Sequence, residues 1–170
     1  MGGKQAGIVG ALTVLSQGHK VISAISYSSA LTDILGSLNI PVYESIKDKR
    51  FVKDLSRADI ILSVHGREFV KQNLLELTKL GGINVHPYLY KYKGAKPVER
   101  AFREQVFKAS VGAHIMEDGI DMGKVLTEEF VDVSEANSPE EIYNLLYPYY
   151  SIVIFKALDK ICTEYKKHAK

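Results

Sequence analysis

The sequence predicts one α/β domain with a doubly wound, mostly parallel sheet, and two observations lead to this prediction. Short segments that contain valine and isoleucine alternate with longer segments whose apolar residues recur at helical spacing, which is the order of strands and crossover helices. The chain has 170 residues, of which 46% are hydrophobic, enough for one sizeable core but not for two. We therefore expect a single domain over residues 1–170, with helices on both faces of the sheet.

Five segments are predicted to be strands because they are short and rich in strand-forming residues. In chain order they are Lys20 to Ser26, Ala58 to Val64, Gly82 to His86, Val111 to Met116 and Gly123 to Val133. Between them, apolar residues recur at helical spacing at Ala11, Val14 and Leu15, at Val70, Leu74, Leu75 and Leu77, and at Val98, Ala101, Phe102 and Val106. These three segments are predicted to be crossover helices.

A last helix begins near Ser138, which offers an N-cap, followed by Pro139 at the first helical position and Glu141 three residues after the cap. Pro148 stands inside this helix and is expected to bend or split it, because proline lacks the backbone N–H group. The neighbouring tyrosines are expected to pack against the sheet. The basic end, Lys166 to Lys170, is expected to be a solvated helix terminus.

The start of the chain, Met1 to Gly7, is typical of a glycine-rich turn that opens a helix, where α/β folds often bind anions. No strand precedes this turn. The first strand of a doubly wound sheet is usually central, so its absence would leave neighbouring strands with unpaired backbone groups. Either the start lies upstream of Met1 or another segment fills the gap, and the sequence leaves both open.

Charge and cysteine content exclude few partners but indicate a compartment. Lysine and arginine total 22 against 20 acidic residues, which is short of the basic charge typical of nucleic-acid-binding domains. Cys162 is the single cysteine, so an intrachain disulfide is excluded and a reducing compartment is indicated. The sequence has no apolar run near the ~18 residues of a membrane span and no signal-peptide pattern at Met1. We expect a soluble, cytoplasmic protein without membrane partners.

The segment from Gly81 to Pro87 carries the most informative polar pair. Asn84 and His86 are two residues apart, so an extended strand points both side chains to one face while Ile83 and Val85 face the core. Pro87 ends the strand, which puts the pair at its carboxyl end, where open α/β sheets bind ligands. An amide that donates to an oxyanion and an imidazole that moves a proton suit acyl transfer, although a hydrogen-bonded turn without catalytic function fits the spacing equally well.

A second polar loop follows the strand that contains His114, and it reads Glu117-Asp118-Gly119-Ile120-Asp121-Met122-Gly123. Its carboxylates would ordinarily be solvated turn residues. If the loop lies over the end of the Asn84 strand, however, a carboxylate contacts His86, orients it and favours its cationic form.

Four segments together resemble the catalytic domain of 10-formyltetrahydrofolate-dependent formyltransferases. They are Asn84 to Pro87, Lys91 to Ala101, Gly112 to His114 and Asp118 to Gly123. The resemblance runs from about Gly2 to Val133, and only the combination is specific. It implies a Rossmann-like formyltransferase fold whose first strand is missing or truncated here.

The resemblance also implies the site residues. Asn84, His86 and Asp121 match the family's catalytic trio, in which Asn84 would hold the oxyanion, His86 would supply a proton and Asp121 would keep His86 cationic and help relay a proton. The donor co-substrate would be 10-formyltetrahydrofolate, in a cleft formed by Gly66, Arg67, Glu68, Phe69, Met116, Glu117, Asp118 and Gly119. A primary amine would enter beside Gly2, Gly3 and Lys4, and His114 matches a histidine found in part of the family.

Several alternatives concern the acceptor. The loop after Pro87 lacks the family's usual proline, and the chain ends soon after its last helix, whereas members that formylate initiator tRNA carry a further β-rich domain. We therefore expect a small phosphorylated or nucleotide-linked acceptor, an amino sugar or glycinamide ribonucleotide, rather than a tRNA. A formyltetrahydrofolate hydrolase, a folate-binding remnant without turnover, and a metal site of His65, His86 and His114 remain alternatives. The sequence does not indicate an oligomeric state.

Overall fold

The computed structural model describes residues 1–168 and confirms the α/β fold class. Helices α1 to α6 span Lys4–Ser16, Ser29–Ser37, Lys49–Leu55, Gln72–Leu75, Pro97–Arg103 and Pro139–His168. Strands β1 to β6 span Ala24–Ile25, Val42–Tyr43, Ile61–Val64, Gly82–Pro87, Lys108–Ile115 and Val125–Asp132. Over residues 1–168, none of the helices combines the length and the apolar character needed to span a membrane.

The main sheet is mixed and has the order β3-β4-β5-β6. Strands β3 and β4 pair in parallel, whereas β4 with β5 and β5 with β6 pair antiparallel. Strands β1 and β2 form a separate parallel pair. The parallel pairings therefore involve only β1 to β4. Strands β5 and β6 are consecutive and joined by a loop, and they pair antiparallel.

The segment Met1 to Gly3 links the two sheets. Gly2 forms isolated parallel bridges with Ser26, next to β1, and with Val64 of β3. The start of the chain therefore fills one end of the gap between β1 and β3 that the missing first strand was expected to leave. Strands predicted over Lys20 to Ser26 and Ala58 to Val64 are regular only over Ala24–Ile25 and Ile61–Val64, because the rest of each segment lacks a neighbouring strand on one side.

Helix α6 covers one face of the sheet. Leu146, Tyr150, Val153 and Ile154 are each fully buried in the core formed with β4 and β5. The helix runs through Pro148 without interruption, so of the two predicted effects the split is wrong, and a bend stays a prediction. Pro148 lies on the exposed side, where water can bind the carbonyl group that loses its helical partner, and packing holds the helix on both sides of the proline.

Two of the three predicted crossover helices are shorter than predicted, whereas the first is α1, which extends over Lys4–Ser16. Helix α4 covers only Gln72–Leu75, and α5 ends at Arg103 rather than near Val106. The basic end of α6 continues to His168, and residues 169–170 of the predicted solvated terminus lie outside the described residues.

Candidate active site

Strand β4 positions Asn84 and His86. It lies between β3 and β5, and its register pairs Asn84 with His114 and His86 with Gly112. The alternate residues, Ile83 and Val85, are buried in the core, as the spacing predicts. The two polar side chains therefore share the opposite face, next to Pro87 at the end of the strand.

Asp121 reaches the same point from the loop between β5 and β6. Its backbone has a φ of 55°, in the left-handed region that aspartate adopts more readily than most residues. Its Oδ2 atom lies 3.0 Å from His86 Nε2, and its Oδ1 atom accepts a hydrogen bond of 2.9 Å from Asn84 Nδ2. The structure thus brings the three side chains singled out by the sequence into direct contact.

Two further groups contact the Asp121 carboxylate. The backbone N–H of Gly94 donates to Oδ2 at 2.7 Å, and His114 Nε2 lies 3.2 Å from Oδ1. Burial by itself would raise the pKa of Asp121. Hydrogen bonds from His114 and His86, the charge of His86 and the Gly94 amide outweigh burial and hold this pKa well below its usual range. Asp121 is therefore an anion at neutral pH.

The surroundings of His86 fix which ring nitrogen exchanges protons. Nε2 lies 3.0 Å from the Gly94 carbonyl oxygen and 3.0 Å from Asp121 Oδ2. Both oxygens can only accept, so Nε2 carries a hydrogen. Nδ1 is buried and has no hydrogen-bond partner within residues 1–168. Nδ1 is consequently the nitrogen on which a proton is gained or lost.

His114 controls one N–H of the Asn84 amide. His114 Nδ1 lies 2.8 Å from the Ile115 carbonyl oxygen, so Nδ1 is the donor of that hydrogen bond. Its Nε2 lies 3.3 Å from Asn84 Nδ2 and can either accept from this amide or, when protonated, donate to Asp121. In the second arrangement, one N–H of Asn84 is left for a ligand.

These side chains line a cavity of about 610 Å³. Its walls combine the segments after β3, β4 and β5 with the start of α1. Phe69, Val70, Met116 and Ile120 give it an apolar wall. The catalytic candidates therefore lie in a cleft large enough for an aromatic ligand.

The formyl transferase family model matches residues 45–158, about two thirds of the chain, and this range includes Asn84, His86 and Asp121. The chain belongs to the formyl transferase family. A methionyl-tRNA formyltransferase of Clostridioides difficile (strain 630) is 32% identical over 111 residues, which are 62% of this chain but only 36% of that relative. This formyl transferase chain thus spans about a third of the length of the curated relatives it matches.

Two solved structures show the fold. Phosphoribosylglycinamide formyltransferase from Bacillus halodurans superposes with a TM-score of 0.74 at 20% identity, over 89% of this chain and 88% of that one. WlaRD, a sugar 3N-formyl transferase solved with dTDP and 5-N-formyl-THF, superposes with a TM-score of 0.72 at 16% identity, over 94% of this chain and 60% of that one. At such identities the likeness concerns the fold alone.

Most residues that the formyl transferase resemblance assigns to the cleft do line it. Those on the folate side are Gly66, Arg67, Glu68, Phe69, Met116, Glu117 and Gly119, and those on the acceptor side are Gly3, Lys4 and His114. Asp118 is exposed and does not line the cavity. Gly2 is buried in the strand bridge, where a Cβ atom would lie 2.8 Å from Leu31. Close packing therefore explains why a glycine stands at this position.

Glu68 lines the cleft but uses its carboxylate inside the protein. Its oxygens accept hydrogen bonds from Tyr27, Ser45 and the Ile46 backbone at 2.7 to 3.1 Å. These bonds tie the loop before α3 to the segment after β3. Glu68 therefore supports the wall of the cleft.

The end of the cleft next to the start of α1 contains a charged cluster that the sequence did not reveal. Lys4 Nζ lies 3.6 Å from Glu99 and 3.8 Å from the centre of the Tyr143 ring. Glu99 and Tyr143 come from α5 and α6, far from Lys4 in sequence. Because the three residues are distant in sequence, no local pattern predicts that they meet. Pro97 marks the start of α5 but does not indicate that Glu99 contacts Lys4.

His65, considered for a metal site, has a different environment. Its Nε2 atom lies 2.6 Å from the Tyr150 hydroxyl group. Burial, together with the charges of Lys4 and His86, lowers the pKa of His65 to about 4, so the ring is neutral at pH 7. Among residues 1–168, no group of histidine, cysteine or acidic side chains has an arrangement that could hold a metal ion.

Gly94 is the site residue that sequence reasoning missed most clearly. Its N–H group binds Asp121, and its carbonyl oxygen accepts from His86. The φ of 76° gives the backbone the left-handed turn that presents both groups to the site. The signal was present in the Lys93-Gly94-Ala95 sequence, but backbone ligands leave no side-chain pattern.

Proposed function

We propose that this chain transfers a formyl group from 10-formyltetrahydrofolate to the primary amine of a small phosphorylated or nucleotide-linked acceptor. The observation that carries the proposal is the direct contact of Asn84, His86 and Asp121 in the 610 Å³ cleft. Membership of the formyl transferase family supports the reaction class. The three side chains supply an oxyanion donor, a proton donor and a carboxylate that fixes the imidazole.

The cleft has the chemistry that a folate donor needs. Phe69, Val70, Met116 and Ile120 offer an apolar wall against which a flat ring can pack. The unpaired Nδ1 atom of His86 leaves a buried polar position that a bound ligand would satisfy. We therefore assign the donor to the space between the segment Gly66 to Phe69 and the loop Met116 to Gly119.

The chemistry follows from the atoms present. The acceptor amine forms a bond to the formyl carbon, and the bond between that carbon and the folate nitrogen breaks. Negative charge develops on the carbonyl oxygen. When His114 Nε2 is protonated and donates to Asp121, the N–H group of Asn84 that does not bind Asp121 is left to donate to this oxygen, an effect worth about 3 kcal/mol at comparable sites. The departing nitrogen needs a proton, which His86 donates from Nδ1.

The structure changes the role we give to Asp121. Its low pKa makes the carboxylate a weak base, so it is poorly suited to take a proton from the acceptor amine. We assign it to positioning: it holds His86 Nε2–H and orders Asn84 before transfer. His86, neutral after protonating the leaving nitrogen, then takes the surplus proton of the amine and the proton balance closes.

We assign the acceptor to the end of the cleft that Lys4 lines. The Lys4 ammonium group is about half exposed and faces the cleft beside Glu99. A phosphate group of the acceptor would bind Lys4, and Glu99 would then either pair with the acceptor's own cationic group or oppose the phosphate. An acceptor that carries both a phosphate and an amine fits this cluster better than an uncharged amine does.

The test is release of tetrahydrofolate from 10-formyltetrahydrofolate in the presence of single acceptors. The panel contains a nucleotide-linked amino sugar, glycinamide ribonucleotide, methionyl-tRNA and no amine. Release that requires one of the first two confirms the proposal. Release without any amine would assign the site to hydrolysis, and no release with folate binding intact would mark a binding protein.

Methionyl-tRNA is in the panel because the curated relative from Clostridioides difficile acts on it by name. Charge does not favour a tRNA partner, since acidic and basic residues nearly balance. Formylation of methionyl-tRNA at a rate equal to that of the small acceptors would overturn our choice of acceptor while leaving the chemistry in place.

A further inference from the structure

His114 is buried next to the catalytic candidates, with only 2% of its surface exposed. Strand β5 places it opposite Asn84 of β4 and opposite Val125 of β6. The ring is held by its Nδ1–H group, which donates to the Ile115 carbonyl oxygen at 2.8 Å. The ring therefore presents Nε2 to the site, and the proton on this nitrogen is the remaining variable.

Nε2 of His114 is one of three polar atoms that lie within hydrogen-bond distance of one another. It is 3.2 Å from Asp121 Oδ1 and 3.3 Å from Asn84 Nδ2, and the last two atoms are 2.9 Å apart. The carboxylate oxygen can only accept and the amide nitrogen can only donate, whereas the imidazole nitrogen does one or the other. The protonation of Nε2 thus determines which of its two neighbours the ring bonds.

The two protonation states leave the Asn84 amide in different situations. A neutral His114 accepts from the N–H group of Asn84 that does not bind Asp121, so that this group is not available to a ligand. A cationic His114 donates to Asp121 and has no lone pair left on Nε2. The second N–H group of Asn84 is then free.

We propose that His114 is a positioning residue whose protonation releases one N–H group of Asn84 for the developing oxyanion. The inference rests on the proposed formyl transfer and adds a second proton to the active state. The site is competent when His114 carries Nε2–H and His86 carries Nδ1–H, with the Asp121 carboxylate between the two rings. The proton of His114 stays in place during the reaction, because it acts only through the amide that it releases.

The charged groups around His114 show which other titration the experiment must separate. Asp121, from the loop between β5 and β6, contacts its Nε2 directly, and His86, from β4, lies against the other oxygen of the same carboxylate. On β6 its partner Val125 is uncharged. The remaining charged residues of the adjacent loop and strand start are exposed, namely Glu117, Asp118 and Lys124. The titration to be separated is therefore that of His86.

The first test compares the parent protein with His114→Gln. The glutamine amide can donate to Asp121 at every pH and does not titrate, so Asn84 should stay released. His19→Gln is the matched control, since His19 is exposed and does not line the cleft. Single-turnover release of tetrahydrofolate is measured across pH, and the parent rate is divided by the variant rate. His86 and the acceptor amine titrate in both proteins, so their effects cancel in this ratio.

We expect the ratio of the parent rate to the His114→Gln rate to be constant at low pH. Above the titration of His114 it should fall about tenfold per pH unit, since one proton is lost from the parent and none from the variant. The ratio for His19→Gln should stay constant throughout. A ratio for His114→Gln that does not change with pH would overturn the proposal.

The second test requires neither folate nor an acceptor, so it separates this inference from the proposed function. In the ligand-free parent, NMR should show that the side-chain amide of Asn84 titrates with the midpoint of the His114 ring nitrogens rather than that of His86. In His114→Gln the amide signal should not titrate. An Asn84 amide that follows His86, or that does not titrate in the parent, would overturn the inference even if His114→Gln does not fold. Absence of formyl transfer with this coupling intact would refute only the proposed function.

Discussion

Replacement of Asp121 by asparagine is the sharpest test of the site, because this carboxylate accepts hydrogen bonds from Asn84 and Gly94 and lies within 3.2 Å of the ring nitrogens of His86 and His114. An asparagine has a single acceptor oxygen, so its NH2 group must face either His86 Nε2–H and Gly94 N–H or Asn84 and His114. Each lost charge-assisted hydrogen bond is worth about 1.5–3 kcal/mol. Some of this loss is offset because the variant no longer buries a charge.

We expect Asp121→Asn to reduce the rate of formyl transfer more than it reduces the free energy of unfolding. Without the anion, the cationic form of His86 loses its partner, and misplacing a general acid costs about 10²–10⁴ in rate. We expect kcat for formyl transfer to fall about a thousandfold, with folate affinity changed little, since Asp121 contacts other side chains rather than the apolar wall. Asp118→Asn is the matched control, because Asp118 lies in the same loop and is exposed.

The assay is single-turnover release of tetrahydrofolate, with urea unfolding of both variants to show that Asp121→Asn is folded. A folded Asp121→Asn protein that retains more than half of the parent rate would contradict the role given to Asp121, as would an equal loss in Asp118→Asn. The free energy of unfolding of Asp121→Asn should also change less with pH in the acidic range than that of the parent protein. The depressed pKa of Asp121 contributes stability that is present above the unfolded value and is lost as the pH falls.

Three further predictions follow from the same geometry. Asn84→Ala should lower kcat about 10²–10³-fold in steady-state assays with little change in KM, because its free N–H acts on the developing oxyanion; a change confined to KM would contradict this. Lys4→Ala should weaken binding of a phosphorylated acceptor while Glu99→Gln strengthens it, measured by calorimetry, and unchanged affinity in both would remove Lys4 from the acceptor site. His65 titrates at about 4 when folded, against roughly 6.5 unfolded, so stability rises with pH across this window by about 3 kcal/mol and is lost as pH falls. Urea unfolding of His65→Gln, which keeps a partner for Tyr150, should show a flatter dependence between those values, and an unaltered slope would contradict the assignment.

The strand pattern of the sequence was sufficient to predict the first of two relations in the site, that Asn84 and His86 share a face, but not the second, that Asp121 approaches them. The two-residue period of β4 fixes the first relation, since Ile83 and Val85 must be buried. The second needed the resemblance to a family, because nothing local places the β5–β6 loop over β4. The antiparallel register that does so, Asn84 opposite His114, is a long-range pairing.

The features that the sequence did not reveal are of a different kind. Gly94 acts through backbone groups, and the cluster of Lys4, Glu99 and Tyr143 is assembled from three helices. Pro148 illustrates the opposite case, because packing on both sides of it keeps the helix continuous where the local rule allowed a split. Local sequence patterns thus indicated which strand ends carry the candidate catalytic side chains, whereas tertiary contacts determine how those side chains are positioned.

Backbone conformation offers a last, independent argument that the cleft is functional. Seven non-glycine residues within residues 1–168 have a positive φ, and four of them, Lys4, His65, Lys96 and Asp121, line the cleft. Each such residue costs about 1–2 kcal/mol, so surrounding contacts must maintain it. Asp121 is maintained by its own hydrogen bonds to Asn84 and Gly94, which means that the bonds that hold the strained turn are the same bonds that order the catalytic groups. A site built only for stability would not concentrate this cost around a cavity, whereas a preorganised site for charge development requires it.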